Sequence, residues 1–357
     1  MSVHPEPAAA VGEVAGAVLE RTGPGPDVAL LFVSGHDDDA VDDIADAVRQ
    51  VLRPGALAGA RTVGVIGGPV EVEDDPAVSV WAGRTGPAEA VRLEAVRTHD
   101  GVAVGGMPTE LGSGRRTLLL LSDPLTFPTE ALVAATNDRH PELAVVGGLA
   151  TPSVRGTTRL VLDDRVHHDG AVGVLLPEGI GETTVVSQGC RPVGEPFIVT
   201  AAEGNVVREL GSRPAMERLG AVVDSVSEED RALMARGLHV GLVIDESAAD
   251  FGRGDFLIRA VLGADHRSGS LRVGDRIAVG TTLQFHVRDA DTADADLRQM
   301  LSLVDADAAV VFTCNGRGTR LFGRPGHDAE LVSDAVGGGP VAGMFCAGEM
   351  GPVRGRN

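Results

Sequence analysis

Short apolar segments alternate with amphipathic stretches over the first 150 residues. An Ala-rich segment that stops at Thr22-Gly-Pro-Gly-Pro26 predicts an N-terminal helix. Ser34 is placed to cap a second helix, which starts with three acidic residues and runs to Leu52, and a third helix is predicted over Thr129–His140. Runs of buried-type residues predict strands over Val28–Val33, Val63–Ile66, Val78–Trp81, Thr117–Leu121 and Leu143–Val146.

The pattern changes between residues 158 and 200, where apolar runs follow one another at hairpin-like spacing. One antiparallel block is predicted there, with strands over Leu160–Leu162, Gly170–Leu176, Thr183–Gln188 and Phe197–Thr200. Helical patterns then alternate with strand patterns. The helices are expected over Pro214–Val226, Glu228–Arg236, Asp291–Leu303 and His327–Val336. The strands are expected over Leu238–Ile244, Phe256–Val261, Leu283–Asp289, Ala308–Phe312 and Val341–Phe345.

These elements predict an α/β fold with mixed, partly antiparallel sheets and helices packed outside them. The length of 357 residues suggests two domains, because a domain usually has roughly 100–200 residues. We expect a helical extension over residues 1–26, a first domain over residues 27–212 and a second over residues 213–357. No long linker separates the two domains, so close packing between them is expected.

Charge and apolar content exclude several classes of partner. The net charge is −20, and the basic residues, all of them Arg, form no stripe that would bind a nucleic-acid backbone. No apolar run approaches the ~20 residues that a membrane-spanning helix needs. The chain does not start like a signal peptide, and its three Cys suggest no disulfide framework. The sequence therefore predicts a cytoplasmic protein that binds neither nucleic acid nor membrane.

Familiar catalytic and cofactor motifs are missing from the sequence. There is no dinucleotide-binding GxGxxG after a strand, no Walker loop, and no HExxH, GxSxG or CxxC. His167 and His168 adjoin Asp163 and Asp164 in what reads as a solvated turn, so a metal site is not expected there. We predict no cofactor and no metal ion, and we assign no residue as catalytic.

Glycine, cysteine and ionisable residues are concentrated in four stretches: Ser187–Pro196, Gln284–Ala290, Cys314–Gly318 and Phe345–Pro352. In the second stretch, strand alternation puts Gln284, His286 and Arg288 on one face and leaves Asp289 at the strand end. Such a polar row either lines a pocket or lies on an open face that ends in an Arg–Asp pair.

The third and fourth stretches each follow an apolar strand. Arg317 lies between two glycines after Cys314 and Asn315, where its guanidinium could clamp a carboxylate or form an internal ion pair. Glu349 lies between glycines and needs a partner, for which Arg288 and Arg317 are the candidates. We expect these groups to line one cleft in the same domain.

The three cysteines, Cys190, Cys314 and Cys346, lie in three of these stretches. They are expected to be reduced, with at least two buried, because each adjoins strand-like sequence. A catalytic thiol beside His286 and Asp289 is the alternative.

Several motifs together resemble the FIST (F-box and intracellular signal transduction) domain family over about Asp27 to Gly355. The motifs that resemble its amino-terminal domain are Ser187–Thr200, Gly204-Asn205 and Arg213-Pro-Ala215. Those that resemble its carboxy-terminal domain are Gly254–Arg259, Gly263 with Asp265, Gln284–Asp289, Ala293–Leu297, Cys314–Gly318, His327-Asp328 and Phe345–Pro352. The chain departs from the family in two places. It has no Cys near Ala60–Thr62, and it stops at Asn357, where the family continues into a His-containing strand.

The resemblance implies a sensory protein that binds a small molecule, with amino acids as the expected class. No output module follows the second domain, so an unidentified signalling partner is expected to receive the signal by contact. The ligand-binding residues would be Gln284, His286, Arg288, Asp289, Cys314, Asn315, Arg317 and Glu349. Two alternatives are an enzyme that uses Cys or carboxylate chemistry in the same cleft, and a scaffold that binds partners without a small ligand.

Overall fold

A computed structural model describes residues 1–99, 101–109, 111–112, 114–153, 156–181, 183–248, 250–252, 254–353 and 355–357. The helices in this part are α1 (Pro7–Thr22), α2 (Asp38–Leu52), α3 (Thr129–Arg139), α4 (Ala215–Ser225), α5 (Glu228–Arg236), α6 (Ala290–Leu301), α7 (Thr319–Phe322) and α8 (His327–Ala335).

Strands outnumber helices in the described chain. The first twelve are β1 (Val28–Ser34), β2 (Ala56–Thr62), β3 (Gly64–Gly67), β4 (Val70–Glu73), β5 (Ala77–Gly83), β6 (Glu89–Thr98), β7 (Gly101–Gly105), β8 (Arg116–Ser122), β9 (Leu143–Leu149), β10 (Leu160–Leu162), β11 (Arg165–His167) and β12 (Ala171–Leu175). The others are β13 (Cys190–Glu203), β14 (Val206–Leu210), β15 (Arg213–Pro214), β16 (Leu238–Val243), β17 (Phe256–Asp265), β18 (Ser270–Val273), β19 (Thr282–Arg288), β20 (Ala309–Cys314), β21 (Val341–Cys346) and β22 (Glu349–Met350).

The chain forms two compact units, and one of them is discontinuous. Unit 1 comprises Met1–Val186 and Met300–Asn357, and unit 2 comprises Ser187–Gln299. These limits differ from the domain boundary expected between residues 212 and 213, which stays a prediction about the domains.

Unit 1 contains three sheets in the described part of the chain. Their strand orders are β11-β10-β2-β1-β5, β22-β9-β8-β12-β6-β7 and β20-β21-β3-β4. Three pairs are parallel, namely β1–β2, β8–β9 and β20–β21, and each pair is joined through one or two helices. The mixed, partly antiparallel α/β fold is thereby confirmed.

Strand β1 explains why the core of unit 1 has two layers. Leu31 and Val33 pack against α1 and α2, whereas Leu30 and Phe32 pack against residues of the other two sheets. Every residue of β1 is buried, because both faces of this strand are covered. A continuous apolar run is typical of such a strand.

Unit 2 has one seven-stranded sheet, in the order β13-β19-β16-β17-β18-β14-β15. One of its faces packs against α4 and α5 around buried residues that include Val240, Phe285 and Val287. The strands of this unit pair antiparallel.

Three local expectations were wrong. Ser34 is the last residue of β1, its hydroxyl donates to the Asp75 carbonyl, and Asp37 takes the N-cap position of α2. Residues 183–188 form no strand. The strands between 158 and 176 do not form one block, because β10 and β11 join the sheet of β1 and β12 joins the sheet of β8.

Candidate functional site

The eight predicted ligand residues fall in both compact units. Gln284, His286, Arg288 and Asp289 belong to unit 2, whereas Cys314, Asn315, Arg317 and Glu349 belong to unit 1. The expectation that they share one domain does not hold for these units. Their convergence into one cleft stays a prediction, and each group is described by itself.

In unit 2, strand alternation along β19 is confirmed. Phe285 and Val287 are fully buried in the core beneath α4 and α5, so Gln284, His286 and Arg288 lie on the opposite face. The Gln284 side chain donates to the Gly194 carbonyl at 2.7 Å, which fixes it against β13. The face is therefore a polar row on a structured sheet.

A second histidine, His239, lies directly opposite His286 on β16. Side chains at paired positions of antiparallel strands share a face and are close neighbours. Both rings are buried, and the His286 ring contacts Phe256 edge-on with centroids 4.8 Å apart. Gly241, two residues after His239 on the same face of β16, leaves room for the His286 ring, because a Cβ there would come within 2.4 Å of it. His239, His286 and Arg288 together are called the histidine face below.

Each of these rings makes a single hydrogen bond within the described chain. Nδ1 of His239 donates to the Gly237 carbonyl at 3.3 Å, and Nδ1 of His286 donates to the Gln284 carbonyl at 3.1 Å. A carbonyl can only accept, so Nδ1 carries the proton in both rings. A neutral imidazole with this tautomer presents Nε2 as a hydrogen-bond acceptor.

The surroundings keep both rings neutral. Burial, together with the positive charge of Arg288, lowers the pKa of His239 to about 4. Burial also lowers the pKa of His286. At neutral pH the histidine face therefore combines two uncharged acceptors with one guanidinium cation.

Asp289 does not form the expected pair with Arg288. Its carboxylate accepts from the Arg191 guanidinium at 3.0 Å and from the Thr292 hydroxyl at 2.6 Å. Burial opposes ionisation, but these hydrogen bonds outweigh it and lower the pKa of Asp289. Arg191 also contacts Asp230 at the start of α5, so Asp289 belongs to an ion-pair cluster that joins α5 and the start of α6 to β13.

In unit 1, the other four predicted residues lie near the carboxyl ends of the parallel strands β20 and β21. Cys314 and Cys346 are register partners on these strands. Asn315 donates its backbone N–H to the Cys346 carbonyl and its side-chain amide to the Thr151 hydroxyl. The Asn315 Oδ1 atom is buried and accepts no hydrogen bond from the described residues. In α/β folds, ligands bind at this edge of a parallel pair.

Arg317 takes the second of its two expected roles, an internal ion pair. Its guanidinium donates two hydrogen bonds to Asp328, at 2.6 and 2.8 Å, and only 8% of the residue is exposed. Asp328 also accepts from Thr313 and from His327. Burial of the Asp328 carboxyl opposes ionisation, but the hydrogen bonds from Arg317 and His327 outweigh it and hold the pKa well below its usual range. This geometry does not favour the proposed carboxylate clamp.

Glu349 is exposed at the start of β22, where this strand pairs with β9. Its negative charge contributes to the raised pKa of Arg317, which places the two side chains in one neighbourhood. Asp328 is nevertheless the residue that holds the guanidinium.

The cysteines are free thiols, but the expectation that at least two of them are buried was wrong. Cys346 is fully buried, whereas Cys190 and Cys314 are half-buried. Burial raises the pKa of the Cys346 thiol well above its usual value. That thiol is protonated at neutral pH and is a poor nucleophile.

Two glutamates on β4 organise this part of unit 1, and the sequence did not single them out. Glu71 accepts three backbone N–H groups at the start of α8, from Gly326, Asp328 and Ala329. Glu73 accepts from the backbone and hydroxyl of Thr319 at the start of α7. Alternating Glu and Val in a short strand was the available signal, but nothing local identifies partners some 250 residues away.

Family models match the chain in two adjoining segments. The FIST N domain matches residues 27–213 and the FIST C domain matches residues 215–352. The chain belongs to the FIST family. FIST domains are generally sensory domains of signal transduction.

Two relatives of this FIST chain come from mycobacteria. An uncharacterised protein of Mycobacterium bovis is 44% identical over 345 residues, which cover 95% of this chain and 89% of the relative. An uncharacterised protein of Mycobacterium tuberculosis is 43% identical over 366 residues, which cover 100% of this chain and 95% of the relative.

No helix among the described residues is long and apolar enough to cross a membrane. In the same part of the chain, no three His, Cys, Asp or Glu side chains are grouped so that they could hold a metal ion.

Proposed function

We propose that this FIST protein is a cytoplasmic sensor that binds a free amino acid at the histidine face of unit 2. The observation that supports this proposal is the pair of buried, neutral imidazoles on neighbouring strands, each with Nδ1 bonded to the backbone. Their Nε2 atoms are acceptors held at fixed positions beside a guanidinium.

The chemistry of this group suits a zwitterion. An α-ammonium group donates hydrogen bonds, which the Nε2 atoms of His239 and His286 accept. A carboxylate accepts hydrogen bonds, and the guanidinium of Arg288 has five N–H donors to share between its neighbours and a ligand. Because the whole chain carries a net charge of −20, a local cation is needed to hold a carboxylate.

The sensor would signal through a partner protein. The ligand stabilises the conformation that binds it more tightly, and a partner protein that recognises this conformation receives the signal. The charges and hydrogen-bonding groups of the histidine face support the ligand class that we propose, and the partner stays unassigned.

A thermal-shift screen with each of the twenty amino acids tests the proposal. A ligand at 100 times its dissociation constant stabilises the folded protein by about 2.7 kcal/mol, which gives a measurable rise in Tm. The rise should disappear in Arg288→Ala and in His239→Phe. It should persist in His239→Gln, because the glutamine amide oxygen can replace the Nε2 acceptor.

Arg267→Ala is the matched control, since Arg267 is an exposed arginine of the same unit outside the histidine face. A Tm rise that Arg288→Ala and Arg267→Ala retain equally would contradict the assignment of the site. No response of the wild-type protein to any amino acid would contradict the ligand class.

A further inference from the structure

Strands β6 and β7 form a ribbon at the end of the six-stranded sheet of unit 1. From Glu94 to Thr98 every residue of β6 is exposed, and Val96 and Val102 are 47% and 54% exposed. A two-stranded ribbon exposed in this way has little apolar burial of its own. It presents apolar side chains to solvent next to an open strand edge.

The outer edge of β7 pairs with no strand in the described chain, because β7 is the last strand in the order of its sheet. Natural proteins protect such edges with charged residues, proline or a bulge. β7 reads Gly-Val-Ala-Val-Gly over Gly101–Gly105 and has none of these residues. Its pairing with β6 is regular across all five positions. The edge is therefore available to another strand.

The sequence of β7 reads the same in both directions about Ala103. If two copies of β7 pair antiparallel around Ala103, each Val102 lies opposite a Val104 and each Gly101 lies opposite a Gly105. No charged side chain is brought against another one, although each chain carries a net charge of −20. An uncharged edge can therefore pair with a second copy of itself without the repulsion that two chains of net charge −20 would otherwise meet at a charged edge.

We propose that two copies of this chain associate through their β7 edges, antiparallel and centred on Ala103. The pairing joins two six-stranded sheets into one continuous sheet. Because each chain offers one such edge, the assembly closes at two copies. Val102 of each copy then meets Val104 of the other, which adds apolar contact to the backbone hydrogen bonds.

Substitutions at the symmetry axis test the dimer directly. Ala103 is exposed, and in the proposed pairing its side chain faces its own copy. Ala103→Glu and Ala103→Lys each place two like charges opposite one another, which destabilises strand pairing. An equimolar mixture of the two variants places opposite charges together.

Sedimentation velocity from 5 to 200 µM in 0.15 M NaCl is the measurement. We expect the wild-type chain to dimerise over this range, and each variant alone to raise the dimer dissociation constant at least tenfold. The mixture should dimerise again, which excludes misfolding as the cause of the loss. Leu125→Glu, at a leucine 68% exposed elsewhere in unit 1, should dimerise like the wild type.

Three outcomes would overturn the proposal. The wild-type chain could sediment as a monomer at every concentration. Ala103→Glu could dimerise as strongly as the wild type, which would assign the interface to another surface. The mixture of Glu and Lys variants could stay monomeric although each variant has the circular dichroism of the wild type.

Discussion

Acidification should destabilise the protein partly through one side chain, His239. Its pKa is about 4 in the folded protein, against an ordinary value of 6.5. As the pH falls below 6.5, the unfolded chain takes up a proton at this residue and the folded chain does not, so folding stability falls until about pH 4. With 1.36 kcal/mol per unit of pKa, the loss between pH 7 and pH 4.5 is about 2 kcal/mol.

Other groups also titrate in this range, so the test compares the wild type with His239→Gln. Urea denaturation is followed by far-UV circular dichroism at pH 7 and at pH 4.5, because the only tryptophan, Trp81, lies in unit 1. The wild type should lose about 2 kcal/mol more than the variant between the two pH values. Equal losses would show that His239 is not held neutral, and the acceptor role of its Nε2 would fail with it.

Unit 1 gives three further predictions, each measurable in urea or with a thiol reagent. Arg317→Met leaves the buried Asp328 carboxylate without its cation and should lower the free energy of unfolding by about 3–5 kcal/mol, measured in urea by Trp81 fluorescence. The double variant Arg317→Met, Asp328→Leu should recover most of this loss. Gly148→Ala brings a methyl group within 2.2 Å of the Cys346 Sγ and should lower the free energy of unfolding by about 1–3 kcal/mol. Adding Cys346→Ala to this variant should relieve the loss. In the native wild type, Cys346 should react with a thiol reagent at least tenfold more slowly than the half-buried cysteines, and equal rates would contradict its burial.

Most helices and the central strands could be predicted from the sequence because their signals are local. β1 and β8 are continuous apolar runs that are buried along their length. α2 has an apolar stripe behind an acidic first turn. Boundaries shifted by a few residues, as for α8, which ends at Ala335 rather than Val336.

The strands that were missed have weak apolar signals. β2 consists largely of small residues, because it lies against β1 so closely that a Cβ on Gly59 would come within 2.3 Å of the Leu31 carbonyl oxygen. In the distal half of β6 all residues are exposed, so apolar and polar residues do not alternate there as they do in a half-buried strand. Conversely, residues 183–188 have the composition of a strand but pair with no strand in the part of the chain that the structure describes.

The candidate site depended on pairings that no local pattern contains. The polar row of β19 followed from alternation within one strand. His239 was missed because its relation to His286 is set by the register between strands more than 40 residues apart. Asp328 lay in a motif that was quoted for its family resemblance, but its pairing with Arg317 follows from the position of α8 against β20.

The discontinuity of unit 1 also has a consequence for synthesis on the ribosome. β3 pairs with β21, and Glu71 and Glu73 of β4 bind the starts of α8 and α7. The hairpin of β3 and β4 is made early, but its partners emerge about 280 residues later, which takes on the order of 15–60 s at typical elongation rates. During that time Val65 and Ile66, fully buried in the finished protein, lack β21, the strand with which they pair on the other side. The nascent chain should therefore be most prone to aggregation, and most dependent on chaperones, until the second segment of unit 1, Met300–Asn357, has left the ribosome.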